Sequence, residues 1–424
     1  MRKFISVLFL CIFTCGIGLS QQNQQVRYVK ESVLSNGVKV MLKEDFRTPL
    51  VVVGFVFPVG LFNVPIGCQN ILKLVAANLI NQKLSKYFKT SSISYSTEVH
   101  KEYTEIIAIM HPSDLKDFFI AVCENISEIS FENLEIQKKQ MLIDKKLDEI
   151  TGVNVFDECL FSAIDVDGIN TVNILSSEVS ITSVTGQKCQ DFYDKYFKRS
   201  PFTVIISGAV GYKSLIKILQ TTVSGLPKRE LYTVVNRKYK NFCEKNISVI
   251  SKFLGNGVGY VYWIPNEIDS KFSDIYFEIF NYRIRKFLLT NSYPIISGCF
   301  YYDFSDGGSV QCVYFSPKSD VSLKRVKSSY DELLYRMAEE KISAEELEEI
   351  SKNAQMDLQF FSSDLIDAYQ KICDAYVSGK NANDAYKIAE NLKNADPNEV
   401  NHFTKEILLP NLLLKIQTRY KADE

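Results

Sequence analysis

The chain carries three histidines, His100, His111 and His402. Imidazole is the side chain that most often ligates zinc or accepts a proton near neutral pH. No two of the three lie four residues apart, so no helix can turn a histidine pair toward one ion. Solitary histidines are more often exposed or satisfied core residues than ligands, and none offers a local partner to a serine or cysteine nucleophile. The cysteines beyond residue 20 are Cys68, Cys123, Cys159, Cys189, Cys243, Cys299, Cys312 and Cys373, with no C-x-x-C among them. That spacing argues against a zinc ribbon or a redox dithiol and favours small apolar core residues, although some could pair in an exporting compartment. Gly255, Gly257 and Gly259 precede an apolar run rather than a helix and lack the spacing of a phosphate loop, so they read as a turn. The acidic run from Glu339 to Glu349 reads as a solvated helix face.

Composition narrows the classes further. The chain has 424 residues, 46% of them hydrophobic, with 28 Phe and 23 Tyr, which is ample for a large core and for more than one domain. Its 49 basic and 50 acidic residues leave a net charge of −1, which disfavours a nucleic-acid partner. Residues 1–20 stand apart: Arg2 and Lys3, an apolar block, then Gly16-Ile17-Gly18-Leu19-Ser20. This pattern predicts a secretory signal peptide cleaved after Ser20. A retained anchor is the competing reading, but Phe4 to Leu19 is sixteen residues, short of the roughly 20 that a spanning helix needs. No stable membrane insertion is expected once the signal is removed.

Several elements follow from local pattern. Asn36-Gly37 between apolar runs predicts a hairpin, and Pro49 to Phe57 a central strand covered on both faces. Ile71, Val75 and Leu79 predict a helix over about 67–87. Polar strand patterning runs from Ser91 to Met110, and Pro112-Ser113-Asp114 supplies capping oxygens to a long helical region. Thr185 should cap a helix whose Cys189, Phe192, Tyr193 and Tyr196 form one face, followed by a buried strand ending at Gly208. The second half echoes the first. Residues 130–134 resemble 343–347 at an offset of 213, and 185–192 resemble 396–403 at an offset of 211, as expected of one unit present twice. The expected division is a domain over 25–228, a linker over 229–247 and a second domain over 248–424. Strands are expected over about 249–263 and 299–315, then long helices to the end.

The stretches LSNGVKVMLKEDFRTPLVVVGFVFPVG and FYDKYFKRSPFTVIISGAVG, together with the duplicated layout, resemble the insulinase/pitrilysin family and its processing-peptidase-like members. The resemblance implies an α+β fold of two homologous halves, each a mixed, mainly antiparallel sheet packed with helices. It also implies a zinc motif, H-x-x-E-H, with a distal glutamate some seventy residues later, whose two histidines share a helix face around a general base. The aligned positions hold Asn70, Lys73 and Leu74, with Lys145 at the distal ligand and Asp144 beside it. Leucine offers no lone pair, and an ammonium does not act as a general base near neutral pH unless strongly desolvated. No catalytic residue and no metal ligand are therefore expected here; zinc is expected only in a partner subunit.

The family's substrate-holding arginine and tyrosine, seven residues apart, fall at Leu289 and Ile296, with Arg285 and Tyr293 nearby at a spacing of eight. The region of Ser92, Ser94 and Tyr95 corresponds to an edge strand to which extended peptide can add through the backbone; a plain structural strand is the competing reading. The resemblance thus implies an exported, inert subunit of the bacterial periplasm. It would form a heterodimer with a zinc-bearing homologue around a chamber for extended peptides. A stand-alone or homodimeric peptide binder without proteolysis is the alternative.

Overall fold

The computed structural model describes residues 28–65, 67–80, 93–151, 178–228, 245–251, 256–264, 270–290, 295–303, 308–317, 322–361, 364–408 and 412–420. The first half opens with β1 (Lys30–Val33), β2 (Lys39–Glu44) and β3 (Val51–Phe57), then α1 (Gln69–Leu79), β4 (Ser94–Val99) and β5 (Thr104–Met110). Helices α2 (Leu115–Ser127), α3 (Leu134–Thr151), α4 (Glu178–Thr182) and α5 (Gly186–Tyr196) follow, then β6 (Thr203–Gly208) and α6 (Tyr212–Thr222). The second half runs β7 (Lys245–Ser251), β8 (Gly257–Ile264), α7 (Ser270–Thr290), β9 (Ile295–Asp303) and β10 (Ser309–Pro317). It continues with α8 (Leu323–Glu339), α9 (Ala344–Phe361), α10 (Leu365–Val377), α11 (Ile388–Lys393), α12 (Pro397–Phe403) and β11 (Leu412–Tyr420).

The expected hairpin forms between β1 and β2, with Val33 opposite Lys39 and Gly37 at φ 87°, a left-handed conformation that glycine adopts without a Cβ clash. Every residue of β3 is buried, as its unbroken apolar run requires. Thr185 caps α5 by accepting from the Lys188 backbone N–H at 3.3 Å, and Cys189, Phe192, Tyr193 and Tyr196 are its buried face. One capping detail differs from expectation. His111, not Ser113 or Asp114, caps the turn at residues 112–114, its Nδ1 accepting from the Ser113 N–H at 3.3 Å. The long helical region beyond is two helices, α2 and α3, because Glu128 to Asn133 leave the helix between them.

The sheets share one plan. The first has strand order β1-β2-β6-β3-β5-β4 and the second β7-β11-β8-β10-β9. With β1 set aside, both place the first strand parallel to the last and every other neighbour antiparallel. The two halves are thus homologous in architecture as well as in residue spacing, each a mixed sheet that is mainly antiparallel. One expectation is corrected. The second half ends, among the described residues, in strand β11 rather than helix, and β11 lies between β7 and β8.

Strand alternation divides the first sheet between two cores. Val40, Leu42, Val53, Phe55, Phe57, Ile106, Ala108, Val204 and Ile206 face α1, α2, α5 and α6, with Phe55, Phe118, Phe119 and Phe202 in edge or tilted ring contacts of 5.4–6.2 Å around Phe55. The other face, with Met41, Val52, Val56 and Ile205, packs against Leu365, Tyr369, Ile372 and Cys373 of α10. A helix from the second half therefore covers the first sheet. The Asn383 amide adds to this attachment, its Oδ1 accepting from the Val29 N–H at 2.7 Å. Four of the five cysteines whose side chains are described, Cys123, Cys189, Cys312 and Cys373, are buried thiols, and Cys68 is half-buried. Among the described residues no helix is long and apolar enough to cross a membrane.

Candidate functional site

Helix α1 carries the three positions at which the sequence resemblance places a zinc motif. Its apolar residues recur at helical spacing, so one side is drawn into the core. Leu74 is wholly buried among the aliphatic and aromatic side chains of that core. Asn70 is also buried; its amide donates to Ser180 Oγ of α4 at 2.7 Å while its Oδ1 has no hydrogen-bond partner. Lys73 is half-buried, as is Lys145 on α3. Amide, ammonium and aliphatic groups thus occupy these positions. Neither ammonium has a lone pair while protonated, so the set supplies no ligand cluster for zinc and no general base.

Polar clasps instead join α1 to α3 and α4. Asn78, fully buried, donates to Leu74 O at 2.7 Å and to Gln137 Oε1, and Gln137 donates back to Ala77 O at 3.3 Å. Lys138, buried on α3, bonds Glu135 at 2.7 Å and Thr182 O of α4 at 3.4 Å. Removing the Gln137 amide strands part of a buried partner, so Gln137→Ala should cost about 1 kcal/mol of stability, read as a lowered urea midpoint with an unchanged slope. Nearby, burial pushes the Cys68 thiol up, with Lys195 partly opposing it, so Cys68 is not an activated thiolate.

The remaining expected positions are dispersed. Ser94 and Tyr95 lie on β4, the terminal strand of the first sheet, with exposed side chains; Ser92 falls outside the described residues. Leu289, on α7, is 80% exposed, and Ile296 lies in β9. Arg285 is largely exposed and reaches Asp357 only at 3.9 Å, while Tyr293 falls outside the described residues. A groove of about 640 Å³ opens between α7, α8 and the start of α9. Two ion pairs lie in its wall, Arg283 with Glu346 at 2.9 Å and Arg336 with Glu332, beside Lys286, Glu340, Glu345 and Glu349.

A constellation that the sequence reading did not assemble lies where β4 turns into β5. Glu98 and Glu105 are directly opposite in the strand register. His100 Nε2 lies 2.9 Å from Glu105 Oε1 and 3.7 Å from Glu98 Oε2. Glu105 is 1% exposed, and its other oxygen accepts the Tyr369 hydroxyl from α10. Burial, and then the neighbouring Cys373 and Glu105, push the Tyr369 phenol well up, so it stays a donor. The His100 ring stacks on Tyr103 at 4.1 Å and 16°, and the Tyr103 hydroxyl accepts from Gln370 at 3.2 Å. The signal for this group was present as Glu98-x-His100, two residues apart at the end of a strand, but it required period two and a cross-strand register rather than helical spacing.

Residues 183–354 match the family described as the Peptidase M16 inactive domain. No curated protein sequence matches the chain. In three dimensions the chain is similar to a protease from Helicobacter pylori, with a TM-score of 0.76 at 12% identity, over 93% of this chain and 100% of that one. It is similar to the first half of the periplasmic protease PqqL from Escherichia coli, with a TM-score of 0.75 at 12% identity, over 94% and 93% of the two chains. It is also similar to pitrilysin, with a TM-score of 0.74 at 15% identity, over 94% of this chain and 45% of that longer one.

Proposed function

We propose that this chain is a non-catalytic member of the insulinase/pitrilysin peptidase family, a reading supported by the inactive-domain match and the fold of its neighbours, and that it is the inert subunit of a peptide-degrading or peptide-processing chamber. The observation that carries this reading is the occupancy of the motif positions, with Leu74 committed to the core, Asn70 tied to Ser180 and Lys73 at the position of the base. The partner is a zinc-bearing homologue, and the two subunits form a heterodimer that encloses extended peptide. Pitrilysin supports the stoichiometry, because this chain corresponds to 45% of its length; a single chain here supplies what a longer relative carries as one part of itself. Zinc for catalysis is held by the partner and not at Asn70, Lys73, Leu74 or Lys145.

Peptide would be held at β4. Its far edge has no strand beside it among the described residues, and backbone pairing needs none of the lost side chains. The location proposed is an exported compartment, the bacterial periplasm; the signal-like pattern of residues 1–20 and the periplasmic protease among the structural neighbours support it.

The test is gentle native isolation of the tagged mature protein from its own source, with mass spectrometry and a peptidase assay on unstructured peptides. The expected result is co-purification of a homologue with an intact H-x-x-E-H and chelator-sensitive cleavage by the pair, with no cleavage by this chain alone. Isolation of this chain by itself, with affinity for unstructured peptides, would overturn the heterodimer in favour of a stand-alone or homodimeric binder. Cleavage by the pure chain would overturn both.

A further inference from the structure

We infer that Glu98, His100 and Glu105 form a binding site for one divalent transition-metal ion, of the zinc class, at the turn between β4 and β5. The strand geometry brings the three together. Glu98 is on β4 and His100 is the first residue past its end, two positions on, its backbone N–H donating to Tyr103 O at 2.8 Å, while Glu105 is the cross-strand partner of Glu98 on β5. The donor set of one imidazole and two carboxylates suits zinc and its neighbours rather than magnesium or calcium, which take oxygen alone. Zinc bound at about 2.0–2.2 Å in tetrahedral geometry separates its ligand atoms by roughly 3.3–3.6 Å. The distances from His100 Nε2, 2.9 Å to Glu105 Oε1 and 3.7 Å to Glu98 Oε2, bracket that range, so small side-chain movements admit the ion.

Two further features point to a cation. Carboxylates directly opposite on neighbouring antiparallel strands repel each other, and here one of them is 99% buried; a cation between them removes the conflict. The ligands are also held in place. Tyr369 donates to the second oxygen of Glu105, and Tyr103 fixes the plane of the His100 ring, which is the kind of outer support that orients metal ligands. The Glu98 side chain is 55% exposed and that of His100 29%, leaving a path for entry and a fourth position for water. The site lies on the α10 face of the sheet, whereas α1 packs on the opposite face. It is therefore separate from the positions where the family resemblance places catalytic zinc, and the role that follows from its position is structural, fastening the hairpin that carries the edge strand.

The experiment is calorimetric titration of the chelator-treated full chain with zinc chloride, alongside His100→Ala and Glu98→Gln, both at partly exposed positions. The expected result is one ion per chain for the unaltered protein, loss of binding in His100→Ala and weakened binding in Glu98→Gln. Tyr369→Phe should weaken binding by about 10- to 100-fold, the range for loss of an outer-shell partner. Cobalt(II) gives an independent readout, since its visible absorption should appear with the unaltered chain and vanish with His100→Ala. No uptake by the unaltered protein, or uptake that His100→Ala leaves unchanged, would overturn the site. Because none of these variants lies on α1 or α3, this result and the identity of a co-purifying subunit are read independently.

Discussion

Urea unfolding of the full chain should find Gly54→Ala destabilised by about 3–5 kcal/mol, from overpacking together with the loss of a buried hydrogen bond to a charged group. Gly54 sits in the middle of β3, where glycine is otherwise a poor choice. A Cβ built there would lie 1.7 Å from the Tyr369 hydroxyl and 2.5 Å from the ring carbon that bears it. Tyr369 is itself fully buried and hydrogen-bonded to Glu105, so it cannot swing aside without leaving that carboxylate half-satisfied in the core. The missing side chain on β3 is thus the space that lets α10 from the second half lie on the first sheet. Coupling is the discriminating measurement. Tyr369→Leu removes the obstructing hydroxyl and ring edge, so in a double-mutant cycle the cost of Gly54→Ala should fall by about 1–3 kcal/mol, as for directly touching residues. If the two changes prove additive, the clash is not the cause.

What could be read ahead of the structure was what depends on local chemistry. The Asn36-Gly37 hairpin, the Thr185 cap and the buried strand after it are decided by residues within a few positions of one another. Strand β11 is different, because its residues, LLLKIQTRY, become a strand by pairing with β7 and β8 more than 140 residues earlier. The duplication contained the answer all the same. The offset of 211 residues that relates 185–192 to 396–403 also carries β6 onto residues inside β11. The absence of ligands at Asn70, Lys73 and Leu74 was legible from residue type alone, whereas Leu74's commitment to the core needed the packing. Glu105 was beyond reach from sequence. Its partners are a histidine five residues away around a turn and a tyrosine 264 residues away, and no periodicity links such positions.

Lys43 leads to the second large effect, in the opposite direction. It is 3% exposed on β2, with its ammonium 5.0 Å from the centre of the Tyr386 ring and no hydrogen-bond partner. Its register neighbour on β6 is Ser207, whose hydroxyl is likewise buried without a partner. Burial is the largest influence and lowers the Lys43 ammonium from 10.5 to about 8; Asp45 opposes this, and Arg47 and Lys371 reinforce it. A base whose folded value is depressed costs stability wherever both states are protonated. That cost, about 3 kcal/mol for this shift, is fully present below pH 8. Between about pH 8 and 10.5 the unfolded chain keeps the proton that the folded chain releases, so the folded state gains stability as pH rises. Lys43→Met keeps an unbranched side chain against the Tyr386 ring and removes the charge. It should therefore raise the stability at pH 7 by up to about 3 kcal/mol, and its advantage over the unaltered chain should shrink steadily between pH 8 and 10.5. The difference between the two chains isolates this lysine from every other group that titrates there. A difference that stays flat with pH, or a Lys43→Met variant that unfolds more easily at pH 7, would mean that the ammonium finds in the folded protein an interaction strong enough to offset its burial.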